Sequence, residues 1–477
     1  MEYPLKCPPG KGNLACRESE TPTRRITLRV KRSRRPRLRV TADGRGVVSH
    51  AGARLLADVV DRSGLGEDLS VALAATVKGR RRHAPGDVLP DLAVMLADGG
   101  ECISDLKVLR NQPGLFGAVA SQPTAWRLLD AIDAELLARL QSARVAARAR
   151  VWAAGLAPAK VTLDFDATLV NVHSEKAEAA PTYKKGFGFH PLMVFLDETG
   201  EALAGMLRPG GAGANTAADH VSLLDAALAQ LPCATKAADP VNGLEVLVRA
   251  DSAGATHGFV DAIVAHGLEF SIGFDITEAV RVAILAVPAG AWQTPMTQDM
   301  EDRDGAGVAE ITAHLDLSAW PAGTRVICRR EEPHVGAQFN LFDPDGWRHQ
   351  CFITNTADTD IVYLEARHRG HARVEDHIKE AKDLGLMRFP GHAFAANAAW
   401  LLVIGIAQDL QAWAQGLCLT GDLARCEPKR LRYCCWHTAG RLVSSGRRRT
   451  LRLDAHWPWA TQLTEAFGRL ERLHFQT

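Results

Sequence analysis

The chain has 477 residues, 56 Lys and Arg against 55 Asp and Glu, a net charge of +1, and 47% apolar residues. That composition excludes an intrinsically disordered chain, leaves nucleic-acid binding undecided by bulk charge, and supplies enough residues for two or three structural units, since single cores rarely grow past about 250 to 300 residues. The most apolar run, AAWLLVIGIAQDL, is shorter than the roughly 20 residues of a spanning helix, so it is expected to be a buried helix.

The first residues, MEYPLKCPPG, lack a basic segment followed by an apolar run, so no secretory signal is expected and a cytoplasmic location is. Ten cysteines occur without a CxxC pair, and Cys434 and Cys435 are adjacent, which spells neither a zinc knuckle nor a disulfide framework. They read as reduced thiols in packing roles. Residues 1–44 form a basic arm, with nine Arg and Lys from Arg24 to Arg39, and the clusters at Arg80–Arg82 and Arg447–Arg449 repeat the theme. Such clusters either neutralise phosphates or remain solvated and flexible.

From 45 to 155 the apolar residues recur at helical spacing, which predicts a helical domain; a DNA-binding role for it is what the resemblance given below implies. Within it SQPTAWRLLDAID offers Ser121 or Thr124 as a cap, with Trp126 and Arg127 in the first turn. A helix entering a DNA groove starts this way, and so does an ordinary bundle helix. From 156 to 277 strands take over. VTLDFDATLV puts Asp164 and Asp166 on one strand face; HPLMVFLDETGEALAGMLR reads as a hairpin turning at Asp197–Gly200; LEVLVRADSAG ends a fourth strand at Asp251; LEFSIGFD is a fifth. Three strands in a meander followed by alternating helix and strand is the order of an α/β, ribonuclease H-like catalytic domain.

Residues 278–355 read as a β-rich insertion built from VAEITAHLDL, TRVICRR, QFNLF and WRHQCFITN, with a turn at 343–346. Arg325, Arg329 and Arg330 lie on and around one of its strands, placed to line DNA or to pair with Glu331 and Glu332. In 356–392 a long helix is expected to begin near His371, with Val374, Ile378, Ala381 and Gly385 on its buried stripe. A helical, basic region fills 393–477.

Three carboxylates, from the first strand, the tip of the fourth and this helix, make a set of hard oxygen ligands suited to Mg²⁺ and Mn²⁺. Two such ions about 3.5 to 4 Å apart activate water and stabilise the leaving oxygen in phosphodiester cleavage. Asp166 lies nearer the open end of its strand than Asp164, which is assigned a supporting role. On the helix, Glu375 and Lys382 are about 20° from alignment, whereas Glu380 points about 140° from Glu375 and is expected to pair with a lysine in solvent.

LDFDATLV, VLVRADSAG and HRGHARVEDHIKEAKDLGL resemble, in order and spacing, the three catalytic segments of DDE transposases of bacterial insertion sequences. The resemblance is to the 1380 family, related to insertion-sequence 4 type transposases, whose catalytic helix carries a Tyr, Arg, Glu, Lys signature. It implies that Asp166, Asp251 and Glu375 are the catalytic, metal-binding triad and that Lys382 is the signature lysine on the DNA backbone. His368 and His371 stand where the family has tyrosine and arginine; they, with Arg369, Arg373, Lys379 and the nearby Arg367, are placed on the DNA side, along with Arg127, Trp126 and Arg329. RPGGAGANTAADH also resembles the family, its glycines serving a close backbone approach or a flexible loop. One of Trp292, Trp320 and Trp347 stacks on a flipped base by the same resemblance, or all three are core.

The function implied is a DNA transposase that binds terminal inverted repeats, cleaves with Mg²⁺ (Mn²⁺ substituting) and transfers strands, acting as a homodimer in a synaptic complex, nucleoid-associated and away from membranes. Two rivals are another two-metal nuclease on the same scaffold and a catalytically inactive, transposase-derived DNA-binding protein.

Overall fold

The computed structural model describes residues 38–74, 83–172, 175–232, 245–297, 299, 301–333 and 346–475. Most of the basic arm, the Arg80–Arg82 cluster, QFNLF and the turn at 343–345 lie outside them. Met1–Arg45 and Gly46–Thr477 are separate units, and the description below is of the second.

It opens with a short strand, β1 (Val47–Val48), and five main helices: Arg54–Ser63, Leu65–Leu73, Pro85–Ala97, Gln122–Asp130 and Ala134–Val151. Their apolar residues recur at three and four spacings and are buried, as with Leu55, Leu56, Val59 and Val60 of the first. The last is capped by Asp133, whose carboxylate accepts from the Leu136 amide at 2.8 Å.

The mixed α/β body is organised by one large sheet. Its first strand is β2 (Val161–Ala167); β3 (Val170–Asn171), β4 (Ala180–Pro181) and β5 (Phe187–Phe189) form a small side sheet; β6 (Leu192–Leu196) and β7 (Glu201–Met206) make the expected hairpin; β8 (Val246–Ala250) and β9 (Glu269–Phe274) follow. The segment expected to be a β-rich insertion begins with a helix, Glu278–Leu285, and then supplies β10 (Ala306–Glu310), β11 (Arg325–Glu331) and β12 (Arg348–Thr354). These three lengthen the main sheet, because β12 pairs antiparallel with β9, and the order is β10-β11-β12-β9-β8-β2-β6-β7. Only β2, β8 and β9 run parallel within it. Further on, β13 (Gly440–Ser445) and β14 (Arg448–Leu453) join β1 in a separate three-stranded sheet.

The apolar run of the C-terminal region is the largely buried helix Phe394–Cys418. Among the described residues no helix is long and apolar enough to cross a membrane. The buried helix carries Asp409, which pairs with Arg144 at 2.6 Å and Arg148 at 2.7 Å, and Arg148 pairs with Glu201 of β7 at 2.8 Å. Glu201 also accepts from the indoles of Trp152 and Trp413, so every charge in this dry junction has partners. Of the seven described cysteines, all but Cys102 are buried.

The helix expected near His371 starts ten residues earlier, at Ile361, where Asp360 accepts from the amides of Val362 and Tyr363 at 3.0 Å each. It runs to Arg369, tightens through a 3₁₀ turn at Gly370–Arg373, and continues as Val374–Ala381. Val374, Ile378, Ala381 and Gly385 are buried as expected.

What fixes this helix on the sheet is Arg249 of β8. It forms a bidentate pair with the fully buried Asp164 of β2 at 2.8 and 2.6 Å, meets Asp197 at 2.8 Å, and donates to the Arg367 carbonyl at 2.7 Å. A Cβ at position 370 would lie 2.5 Å from the Arg249 guanidinium, so glycine there admits the arginine. His371 adds a bond from Nδ1 to Asp164 at 2.9 Å, and Arg373 clasps Asp197 on the β6–β7 turn. Arg249→Met leaves Asp164 buried and uncompensated and is expected to cost about 3 to 5 kcal/mol in chemical denaturation. Arg249→Lys recovers only part of it, since an ammonium lacks the guanidinium fork.

Candidate active site

Parallel pairing of β2 with β8 ends at Phe165 opposite Ala250. The next residues, Asp166, still paired with Met193 of β6, and Asp251, just past β8, therefore stand side by side at the carboxyl ends of adjacent parallel strands, where open α/β sheets form their sites. Asp166 is partly buried and its carboxylate accepts from the Ala167 amide at 2.7 Å. Asp251 is exposed and caps the turn Ser252–Gly254, accepting from the Ala253 amide at 3.0 Å.

Glu375 reaches the same place from above. Asp164 and Asp166 are two residues apart on one strand face, about 6.6 Å, and His371 and Glu375 are four residues apart on the helix, about 6 Å along its axis. With His371 bonded to Asp164, the helix is in register to bring Glu375 towards Asp166. The electrostatics agree: burial, together with the charges of Asp251 and Glu375, pushes the Asp166 carboxyl up to about 6, against the lowering effects of the Ala167 amide and His371. The ligand atoms of the three carboxylates do not all lie within 4.8 Å of one another. They form an open cluster, as like charges do without a counterion.

Lys382 begins the π-helical turn Lys382–Leu386, partly exposed, with no hydrogen-bond or ion-pair partner among the described residues. The other basic residues expected at DNA are engaged within the protein. Arg369 and Arg329 both meet Glu365, at 3.4 and 3.2 Å, Arg373 holds Asp197, Arg367 pairs with Glu269 at 2.9 Å, and Lys379 pairs with Glu427 at 2.6 Å. Glu380 faces His377 at 3.9 Å, where a lysine was expected. Arg127 is exposed, with its Nε donating to the Pro123 carbonyl at 3.0 Å, and Trp126 packs against the core.

His368 turns inward. Its ring stacks on Phe352 at 4.3 Å and 8°, and its Nδ1 is 2.9 Å from the Ser271 hydroxyl. Burial, reinforced by His371 and Arg249, lowers its pKa to about 3, so it stays neutral. Both histidines thus serve the fold beneath the helix. The indoles divide: Trp292 and Trp347 sandwich the Arg330 guanidinium at 4.2 and 4.6 Å from their ring centres, whereas Trp320 packs on His257 and Phe274. Arg325 pairs with Glu310 at 2.7 Å.

Three residues beside Asp251 escaped the sequence reading. His190 and His220 are buried, which holds both below the usual imidazole range, and both feel the charges of Arg208 and Asp251. Arg208 is buried and donates to the His190 carbonyl at 2.9 Å and to Asp219 at 3.1 Å. Arg208 and His220 begin and end RPGGAGANTAADH, which was the available signal. Gly210 in that segment is a close approach: a Cβ there would lie 2.3 Å from the Ala180 carbonyl oxygen and 2.5 Å from that of Gly188.

A family model described as Transposase DDE domain group 1 matches residues 30–475. A cryo-EM structure of a piggyBac transposase synaptic complex with hairpin DNA is similar over 80% of this chain and 78% of that one, at 10% identity and a TM-score of 0.40. No curated protein matches the chain.

A carboxyl whose pKa is higher in the folded than in the unfolded state is destabilising once ionised, so stability falls as pH rises from about 4 through about 6. Without divalent cation, Asp166→Asn should therefore melt higher than the wild type at neutral pH, by the equivalent of about 3 kcal/mol, with the difference vanishing towards about pH 4. Added Mn²⁺ should raise the melting temperature of the wild type and leave the variant unmoved. Coincident melting curves at neutral pH would contradict the crowding of charge at Asp166.

Proposed function

The chain belongs to the transposase DDE domain group 1 family, and on that premise we propose that it is a DNA transposase that cuts and joins the ends of an insertion sequence. The observation that carries this reading is that Asp251 and Glu375, from two other elements, both act on the Asp166 carboxyl at one end of the sheet. Within the family we assign the chain to the insertion-sequence 1380 group, supported by LDFDATLV, VLVRADSAG and HRGHARVEDHIKEAKDLGL. The catalytic core is read as ribonuclease H-like, supported by the order β7-β6-β2-β8-β9, with antiparallel pairing up to β2 and parallel pairing after it.

A divalent cation fits the residues present. The donors are all carboxylate oxygens, the hard ligands of Mg²⁺ and Mn²⁺, and the Asp166 carboxyl is raised first by burial and then by the charges of Asp251 and Glu375, both of which a cation would offset. Asp166, Asp251 and Glu375 would hold it, and when bound it would supply Lewis-acid polarisation of the scissile phosphodiester. The protein's own part is placement. The Ala253 amide orients Asp251, the Arg249 and His371 bonds to Asp164 set the height of Glu375, and Lys382 holds a phosphate of the DNA backbone. Arg127 contributes a further backbone contact, while Arg329, Arg369, Arg373 and Lys379 reach DNA by exchanging their present acidic partners for phosphate.

Water attacks the phosphodiester at each element end, and the released 3′-hydroxyl attacks target DNA by in-line displacement. Two ends must be processed in concert, which calls for a homodimer in the synaptic complex. The experiment is cleavage of DNA carrying the gene's own flanking inverted repeats, with Mg²⁺ or Mn²⁺, by the wild type and by Asp251→Asn. The variant should lose cleavage by about a hundredfold or more and still bind the ends within a few-fold, because binding rests on basic contacts. Equal cleavage by both proteins would overturn the assignment, and end binding without cleavage by either would mark a DNA-binding derivative. Lys382→Ala is expected to weaken strand transfer about tenfold or more while leaving Mn²⁺ binding intact.

A further inference from the structure

Three side chains outside the carboxylate site converge from distant parts of the chain. His50 precedes the turn Ala51–Ala53, Asp98 ends the helix Pro85–Ala97, and His437 follows the turn Arg432–Trp436. Their ligand atoms all lie within 4.8 Å of one another, and no other group of three His, Cys, Asp or Glu among the described residues does so. His50 Nδ1 is 2.7 Å from Asp98 Oδ2, His437 Nε2 is 3.5 Å from Asp98 Oδ1, and the two rings are 4.4 Å apart at 54°.

A second observation points to a ligand. Asp98 is only 5% exposed, and its Oδ1 is buried without a hydrogen-bond partner, because His437 Nε2 donates to the Asp98 main-chain carbonyl at 2.7 Å instead. Leaving a carboxylate oxygen buried and unmatched costs about 1 to 3 kcal/mol or more, which a cation between the two imidazoles would offset. His50 is held in the left-handed region at φ 54°, an uncommon conformation for a residue with a side chain, and this points its ring at Asp98.

We propose that His50, Asp98 and His437 form a binding site, open at its fourth position, for a zinc-like divalent transition metal, distinct from the Asp166 cluster. Two imidazoles and one carboxylate are a borderline donor set that suits Zn²⁺ and disfavours Mg²⁺. Tetrahedral bonds of about 2.0 to 2.1 Å place ligand atoms about 3.3 Å apart, so the 2.7 Å separation would open by about 0.6 Å, the 3.5 Å one would close by about 0.2 Å, and His437 Nε2 would exchange the Asp98 carbonyl for the ion. The histidine side chains are 27% and 42% exposed, which leaves solvent access for a water as fourth ligand. The ion would tie the first helices to the segment that leads into β13, joining parts of the chain that no disulfide links among the described residues.

The test uses the full chain carrying Asp251→Asn, so that the carboxylate site is impaired, equilibrated with Zn²⁺ and dialysed. Metal content should be about one zinc per chain and should be lost on adding Asp98→Asn or His437→Gln. Zn²⁺ should raise the melting temperature of the first protein and not of the other two. In case either added substitution impairs folding, Co²⁺ bound to the Asp251→Asn protein with His50, Asp98 and His437 intact should give the intense visible absorption of a four-coordinate site and be displaced by an equivalent of Zn²⁺. Zinc uptake and thermal shift that are absent, or identical with and without the added substitutions, overturn the proposal, as does a weak six-coordinate Co²⁺ spectrum.

Discussion

The site rests on one buried ion pair, Asp164 with Arg249. Taking both charges out of water costs several kcal/mol per ion, and the pair survives because almost every polar atom in it is engaged. Asp164 receives both arms of the guanidinium and the His371 ring; Arg249 also serves Asp197 and the Arg367 carbonyl. These bonds join β2, β8, the β6–β7 turn and the helix that carries Glu375. A strand needs two aspartates on one face here because they do different things: Asp164 fixes the helix, and Asp166, one step nearer the open end, stands in the cluster that the fixed helix completes.

That arrangement sets stability against chemistry. The inner aspartate is neutralised by an arginine and is silent. The outer one is crowded by Asp251 and Glu375, and its carboxyl is pushed up to about 6 by burial and by those charges. A fold selected for stability alone would not gather three carboxylates at the end of its sheet. The strain is local, because the surrounding basic residues are paired elsewhere, with Glu365, Asp197, Glu269 and Glu427. The carboxylate cluster therefore keeps negative charge that these basic residues do not balance.

Much of this was legible in the sequence, and the reasons for the misses are physical. The hairpin at Asp197–Gly200, the buried stripe Val374, Ile378 and Ala381, and the positions of Asp166 and Asp251 at strand ends follow from local period and turn chemistry. The start of the third-acid helix was misplaced because its cap, Asp360, precedes IVYLEARHR, whose apolar residues bunch in the first turn and whose basic residues follow, leaving no amphipathic stripe to mark the first two turns. β10 to β12 read as a β-rich insertion, and that they lengthen the main sheet was not legible because strand pattern does not report which edge a strand joins. His368 and His371 read as DNA ligands by analogy, yet one stacks on Phe352 and the other binds Asp164, contacts set by tertiary packing. The convergence of His50, Asp98 and His437 left no trace in any local motif.

The central claim is that the Asp164–Arg249 lock sets the geometry of the carboxylates, and Mn²⁺ affinity measured by the loss of the free-ion EPR signal tests it most directly. The wild type should bind Mn²⁺ at a site that Asp251→Asn removes, and Arg249→Lys, still folded, should bind it about tenfold more weakly or worse. An affinity unchanged by Arg249→Lys would show that the helix finds its place without the buried pair.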